Sequence, residues 1–232
     1  MKKASKNTNA KRGVSKRTMW IIMAVVLIPA AIIFWNTTGR PLATQASMKR
    51  YLEDKYKEKF VVERPEHKNG GLGVRGSWKS HAYPVSNPKL KFYVGCGIAC
   101  NDEYLDSYFS RQEYERLQSS MKTMGVTEYS VRLIIKNEVL KYITKDSNLD
   151  IIKRKYDPIY KLRIKVSEAN NEDDSTSKIS DIIEDIYKQG VSRVEIDYTL
   201  ITKDKKVYKC ATDYDTVSRL NYETIKQCLK ED

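Results

Sequence analysis

MWIIMAVVLIPAAIIFW, residues 19–35, runs for seventeen positions without a charged side chain. As a helix rising 1.5 Å per residue it reaches about 25 Å, the short end of a bilayer crossing. Trp20 and Trp35 stand at its two ends, where an indole meets both hydrocarbon and headgroup. Pro29 lies inside, which a spanning helix tolerates because neighbours or water satisfy the freed carbonyl. Ahead of the run, residues 1–18 carry Lys2, Lys3, Lys6, Lys11, Arg12, Lys16 and Arg17 and no acid. The positive-inside rule keeps that tail in the cytoplasm and places the rest of the chain outside the cell membrane. The expected order begins with a basic tail (1–18) and a single transmembrane helix (19–36), with the lipid bilayer as first partner. A cleaved signal peptide is the rival reading. Its apolar core is usually about 7–15 residues and is followed closely by an A-x-A-like site. The nearest match here, Thr44-Gln45-Ala46, lies eleven residues past Trp35 and lacks the first alanine. Both readings export residues 47–232.

The chain has 232 residues and a formal net charge of +12, seven of which belong to the tail. The basic character is therefore largely topological, and no nucleic-acid partner is expected. A second use of such a tail is attraction to anionic headgroups, worth about 1 kcal/mol per cation near the surface.

Residues 37–47 are small and polar and contain Gly39 and Pro41, the composition of a linker. Ser47 is placed to cap a helix over 48–58, and Met48, Tyr51, Leu52, Tyr56 and Phe60 form its apolar stripe. Short strands follow over 60–63, 77–85 and 90–94, giving a first unit over 48–110. Helices are expected over Asn101–Phe109 and Arg111–Met124, and a second unit over 111–232. In that second unit Tyr129, Val131, Leu133 and Ile135 alternate with polar residues, as do Leu162, Ile164 and Val166, and Val194, Ile196, Tyr198 and Leu200. That period marks strands with one solvated face, so antiparallel or mixed sheets are expected. Asn170–Ser177 reads as a polar loop. Ile179, Ile182, Ile183 and Ile186 stand at helical spacing, and Gly190 stops that helix. The fold class is α+β: small antiparallel or mixed sheets packed with helices behind an N-terminal spanning helix.

Cys96, Cys100, Cys210 and Cys228 are an even set in an exported chain, which suggests disulfides. Three pairings are open, and sequence proximity favours Cys96–Cys100 with Cys210–Cys228. The competing chemistry is zinc, held by Cys96-x3-Cys100 and completed by His67 or His81, the only histidines. Gly71–Gly76 matches G-x-G-x-x-G in letters, but a strand follows and not the helix that would receive a pyrophosphate. It reads as a loop, and Arg64, His67, Lys68 and Arg75 around it offer an anion-attracting surface. No serine has a nucleophile-elbow setting, and Asp173 with Asp174 reads as solvated loop charge. Sixteen tyrosines, Tyr83 and Tyr93 among them, serve small cores and also suit glycan or protein partners.

Tyr51-Leu52, Tyr56-Lys57-Glu58-Lys59-Phe60-Val61-Val62, Tyr83-Pro84-Val85, Asn87-Pro88, Leu90 and Phe92-Tyr93-Val94 resemble small exported or membrane-anchored proteins of Gram-positive-type bacteria with no assigned function. The resemblance spans residues 51–94 and rests on apolar and turn positions, so it implies fold and location, and no catalytic residue. The cysteine pair and the long second unit depart from it.

The expected function is a non-enzymatic interaction or accessory module of the cell envelope, with an envelope protein or glycan partner and no cofactor. The alternatives are an envelope hydrolase or zinc enzyme using Cys96, Cys100 and a histidine, and a single-pass signalling regulator whose tail meets a cytoplasmic partner.

Overall fold

The computed structural model describes residues 16–69, 76–169, 172–212 and 219–231. The first helix, α1 (Lys16–Phe34), does not end in a linker. It continues through one π-type turn, Trp35–Gly39, into α2 (Arg40–Tyr56). The expected linker is therefore helical, and Ser47 lies inside α2, its hydroxyl donating to the Ala43 carbonyl at 2.9 Å. Gly39 and Pro41 ordinarily break helices. Here Pro41 follows the π-type turn directly, and its missing N–H leaves a carbonyl of that turn without its usual donor. The carbonyl four residues before it, on Thr37, accepts instead from the Arg64 guanidinium at 2.8 Å. The Gln45 amide reaches the Val62 carbonyl at 2.6 Å and fastens α2 to the domain again. Farther along, α2 buries Met48 and Leu52 completely and stops at Lys57, whose φ of 55° is left-handed.

The first sheet is antiparallel throughout: β1 (Phe60–Val62), β2 (Glu66–Lys68), β3 (Ser77–Pro84), β4 (Phe92–Cys96) and β5 (Cys100–Asp102). β1 and β2 pair with opposite halves of β3. Pro65 lies in the gap between them, where its lack of an N–H forbids a ladder bond. Phe60, Val62, Phe92 and Val94 share a core with Met48 and Leu52.

α3 (Tyr104–Thr123) is one helix where two were expected, and Asn101 belongs to β5. The residue at the expected break, Ser110, is buried. Its hydroxyl donates to the Asp106 carbonyl and accepts from the Leu133 N–H at 2.8 Å. Tyr104, Leu105 and Phe109 enter the first core, while Leu117 and Met121 enter the second. The expected division at 110/111 thus falls inside a helix shared by both, and Ile135, Ile143 and Ile152 from beyond it join the first core.

The rest of the chain builds β6 (Val126–Ile134), α4 (Asn137–Leu140), α5 (Leu149–Tyr156), β7 (Ile159–Ala169), α6 (Glu172–Lys188), β8 (Val194–Thr202), β9 (Val207–Thr212), α7 (Tyr222–Cys228) and β10 (Lys230–Glu231). The second sheet runs β10-β9-β8-β7-β6. Only β7 and β8 are parallel, with α6 between them, so the sheet is mixed and the fold is α+β. Residues 172–177, expected as loop, are helical. Glu172, Asp173 and Asp174 occupy the first turn of α6, where carboxylates oppose the positive end of the helix. On the buried face Ile164, Ile196 and Tyr198 meet Ile179, Ile183 and Ile186. On the other face Lys161 pairs with Glu195 at 2.5 Å and Arg163 with Asp197 at 2.8 Å.

A charged cluster is sealed where α3, α5 and β7 meet. The Glu113 carboxylate accepts from the Lys153 ammonium, from Tyr160 at 3.0 Å and from Arg116 at 3.0 Å. Lys153 also donates to Gln189 at 2.6 Å, and neither Lys153 nor Glu113 exposes any side-chain surface. Burial dominates the Lys153 ammonium and lowers its pKa, with Glu113 opposing.

Candidate functional site

β5 is one edge of the first sheet and β6 one edge of the second, and the start of α3 lies between them. An exposed strand edge presents unpaired N–H groups. Ser110 and Asp106 of α3 answer two of them, Asp106 accepting from the Ile135 N–H at 3.2 Å. This packing leaves a groove formed by two adjoining clefts of about 530 and 680 Å³, which share Tyr93, Glu103, Asp106 and Arg132.

The alternation of β4 aims Phe92, Val94 and Cys96 inward and Tyr93 outward, 52% exposed. Tyr93 lies beside His81, its partner across β3, with ring centres 4.2 Å apart. In the first cleft Tyr114 stacks on Tyr129 at 4.4 Å and nearly parallel, and the Arg111 guanidinium lies 5.3 Å from the Tyr114 ring. Tyr93 therefore stands where the two clefts meet, and Tyr114 lines the first of them.

The charge along the groove is mostly positive. Arg132 pairs with Glu103 at 3.2 Å, Arg111 with Glu115 at 2.6 Å and Lys91 with Glu63 at 2.8 Å. Lys68, Lys79, Lys89 and Lys136 also line the groove, and no ion pair joins them to any described residue. Burial, helped by Glu103, pushes the Asp106 carboxyl up to about 6, with the Ile135 N–H and Arg132 pulling the other way. Asp102 is spent on structure. It accepts from Lys55 at 2.8 Å, Tyr51 at 2.8 Å, Tyr56 at 2.7 Å and the Tyr104 N–H at 3.0 Å. Burial alone would raise its pKa, but those donors hold it below the usual carboxylate range.

The residues singled out in the sequence are scattered. Trp20 and Trp35 are 66% and 56% exposed, and every described apolar side chain of α1 is exposed. Lys2, Lys3, Lys6, Lys11 and Arg12 lie outside the described residues, as do Gly71, Gly73 and Arg75, and Lys16 and Arg17 begin α1. Cys96 and Cys100 lie at disulfide distance with Cα atoms 4.1 Å apart, and Cys210 and Cys228 likewise at 5.1 Å. That pairing removes Cys96 and Cys100 from a thiolate ligand set. Among the described residues no three of His, Cys, Asp and Glu gather as a metal site. His67 packs against Trp78 at 4.9 Å, away from His81. Asp173 and Asp174 pair with Lys226 at 2.7 Å and Lys178 at 2.6 Å. Sequence reasoning missed Glu103, Asp106 and Arg132, which are ordinary polar letters in the segments that carry them.

No family model matches the chain, and neither does any curated protein. A crystal structure of a DUF5037 family protein from Ruminococcus gnavus ATCC 29149 is similar at 13% identity. The match covers 69% of this chain and 76% of that one, with a TM-score of 0.43.

Proposed function

We propose that the chain is a membrane-anchored extracytoplasmic module that binds an anionic glycan of the cell envelope along the groove, without transforming it. The observation that carries the reading is the groove, with Tyr93 where its two clefts meet, Tyr114 along the first, and four lysines that have no carboxylate partner among the described residues. Aromatic rings cover the apolar faces of sugars, and lysines attract uronate or phosphate groups along such a chain. The anchor half of the reading is supported by α1, an apolar helix whose described side chains are bare. An N-terminal apolar helix alone also suits a signal sequence. Its helical continuity with α2, where a cleavage site would need extended chain, favours an uncleaved anchor. Two cysteine pairs at disulfide distance fit an oxidising compartment.

The test is binding of full-length protein in lipid nanodiscs to uronate-bearing and neutral oligosaccharides of equal length. Binding of the charged series alone, weakened by salt and by Tyr93→Ala with Lys136→Ala, is expected. Equal binding of neutral and charged chains, or indifference to both substitutions, would refute it. Shortening of the oligosaccharide on incubation would return a hydrolase.

A further inference from the structure

We propose that one end of the first sheet rests on the same bilayer that holds α1, with Arg40, Arg64 and Lys68 on anionic phospholipid headgroups and Trp78 and Ile98 at the interface. The inference depends on the anchor reading and adds a second membrane contact to it.

The strand register decides which end of the sheet approaches the membrane. Val62 is tied to Gln45, and Arg64 to Thr37, so β1 and the chain after it run back along α2 toward Trp35. His67 and Trp78 then line a cleft of about 400 Å³ with Trp35 and Arg40. Trp78 pairs with Cys96 across β4, and Cys96 with Cys100 across β5. The residue at the tip of that cystine-closed loop, Ile98, therefore lies at the same end of the sheet as Trp35. It is 90% exposed, the most exposed large apolar side chain described, and a loop clamped at both ends cannot fold it inward.

The charge at this end fits a headgroup layer. Arg40, Arg64 and Lys68 are exposed and form no ion pair with any described residue. Arg40 reaches only the Asn36 side chain, at 3.4 Å, and Arg64 only the Thr37 carbonyl, leaving guanidinium N–H groups free for phosphate. An indole and an exposed aliphatic tip beside three such cations make an interfacial contact of the kind Trp and Lys or Arg form at membrane surfaces. Because α1 and α2 are continuous, this end of the sheet is held near the bilayer without a loop to order first.

The chain contains three tryptophans, so Trp20→Phe with Trp35→Phe leaves Trp78 as sole reporter. The full-length variant is placed in nanodiscs made either of brominated phosphatidylglycerol mixed with phosphatidylcholine or of brominated phosphatidylcholine alone, and Trp78 emission is read. Strong quenching on the anionic discs, relieved by molar salt, is expected. Arg40→Ala, Arg64→Ala and Lys68→Ala together should lower the docked-to-free ratio on the order of a hundredfold, at about fivefold per cation. Ile98→Asp should weaken docking without touching those cations. Unquenched Trp78 in protein that stays within the anionic discs overturns this inference and leaves the anchor standing. Quenching that neither salt nor the triple substitution relieves also overturns the headgroup assignment. Protein that fails to enter the discs overturns both readings.

Discussion

Replacing Glu113 by Ala removes the buried carboxylate that Lys153 meets and leaves an ammonium with no exposed surface beside Gln189, with the exposed Asp150 carboxylate at 4.0 Å. Arg116 keeps Asp185 at 3.0 Å and a partly exposed side chain, so most of the cost falls on Lys153. Breaking a buried pair from one side typically costs about 3–5 kcal/mol. The chemistry sets a ceiling, because Lys153 can instead shed its proton. Neutralising a lysine of ordinary pKa 10.4 costs about 1.4 kcal/mol per pH unit, so about 4–5 kcal/mol at pH 7 and about 2 at pH 9. The sign follows from proton linkage. In the variant the folded-state pKa of Lys153 drops further below its unfolded value, the unfolded chain binds more protons, and stability rises with pH. Thermal unfolding of full-length protein in mild detergent, followed by circular dichroism, should show Glu113→Ala melting roughly 6–20 °C below wild type at pH 7. The gap should narrow by half or more at pH 9. Adding Lys153→Met should recover much of the loss, since two uncharged side chains leave no ion to desolvate. A loss under 1 kcal/mol, or one unchanged between pH 7 and 9, would refute the account of this cluster.

The Asp106 carboxyl titrates near 6 in the fold and near 3.9 in an unfolded chain, so the folded state holds the extra proton between those values and loses stability as pH rises through them. Asp106→Asn should therefore melt above wild type beyond pH 6 and converge with it toward pH 4; parallel melting curves across that range would contradict the assignment. Opening the Cys210–Cys228 bond, which spans eighteen residues, should cost about 3 kcal/mol, against about 2 for the four-residue Cys96–Cys100 loop. Denaturant midpoints of Cys228→Ser and Cys100→Ser decide it, and an inverted order would count against loop closure as the cause. Arg64→Ala frees the Thr37 carbonyl and should lower stability by about 1 kcal/mol, an effect that Pro41→Ala, by restoring the N–H, should largely cancel. A C-terminal tag should be clipped by protease added outside wall-stripped cells, and protection would reverse the topology.

Much of the second sheet was legible because one face is wet. Lys161, Arg163 and Lys165 separate Leu162, Ile164 and Val166 at the period of two that a half-buried strand imposes. Likewise Ile179, Ile182, Ile183 and Ile186 declare α6 by one stripe. The misreadings share a cause: a local signal answered by a distant residue. Pro41 announces a break that Arg64 repairs from 23 positions away. Ser110 looks like a helix end, yet its hydroxyl serves the edge of β6. Asn170–Ser177 has a loop's composition, but its acids stabilise a helix start. The groove was hidden for a different reason. Its residues come from β2, β3, β4, β5, α3, β6 and the segments beside them, and no spacing along the chain announces that Tyr93 and Arg132 will line one cleft.

The unbroken passage from α1 to α2 makes the bearing of the whole domain a matter of residue count. Each residue of a helix turns about 100° and advances about 1.5 Å. One alanine inserted between Gly39 and Arg40 would swing the domain more than a quarter-circle about the α1 axis, while four would restore its azimuth nearly and lift it by about 6 Å. A domain on a slack tether would register neither change. Here the helix works as a keyed shaft, and it fixes the compass direction in which the groove opens.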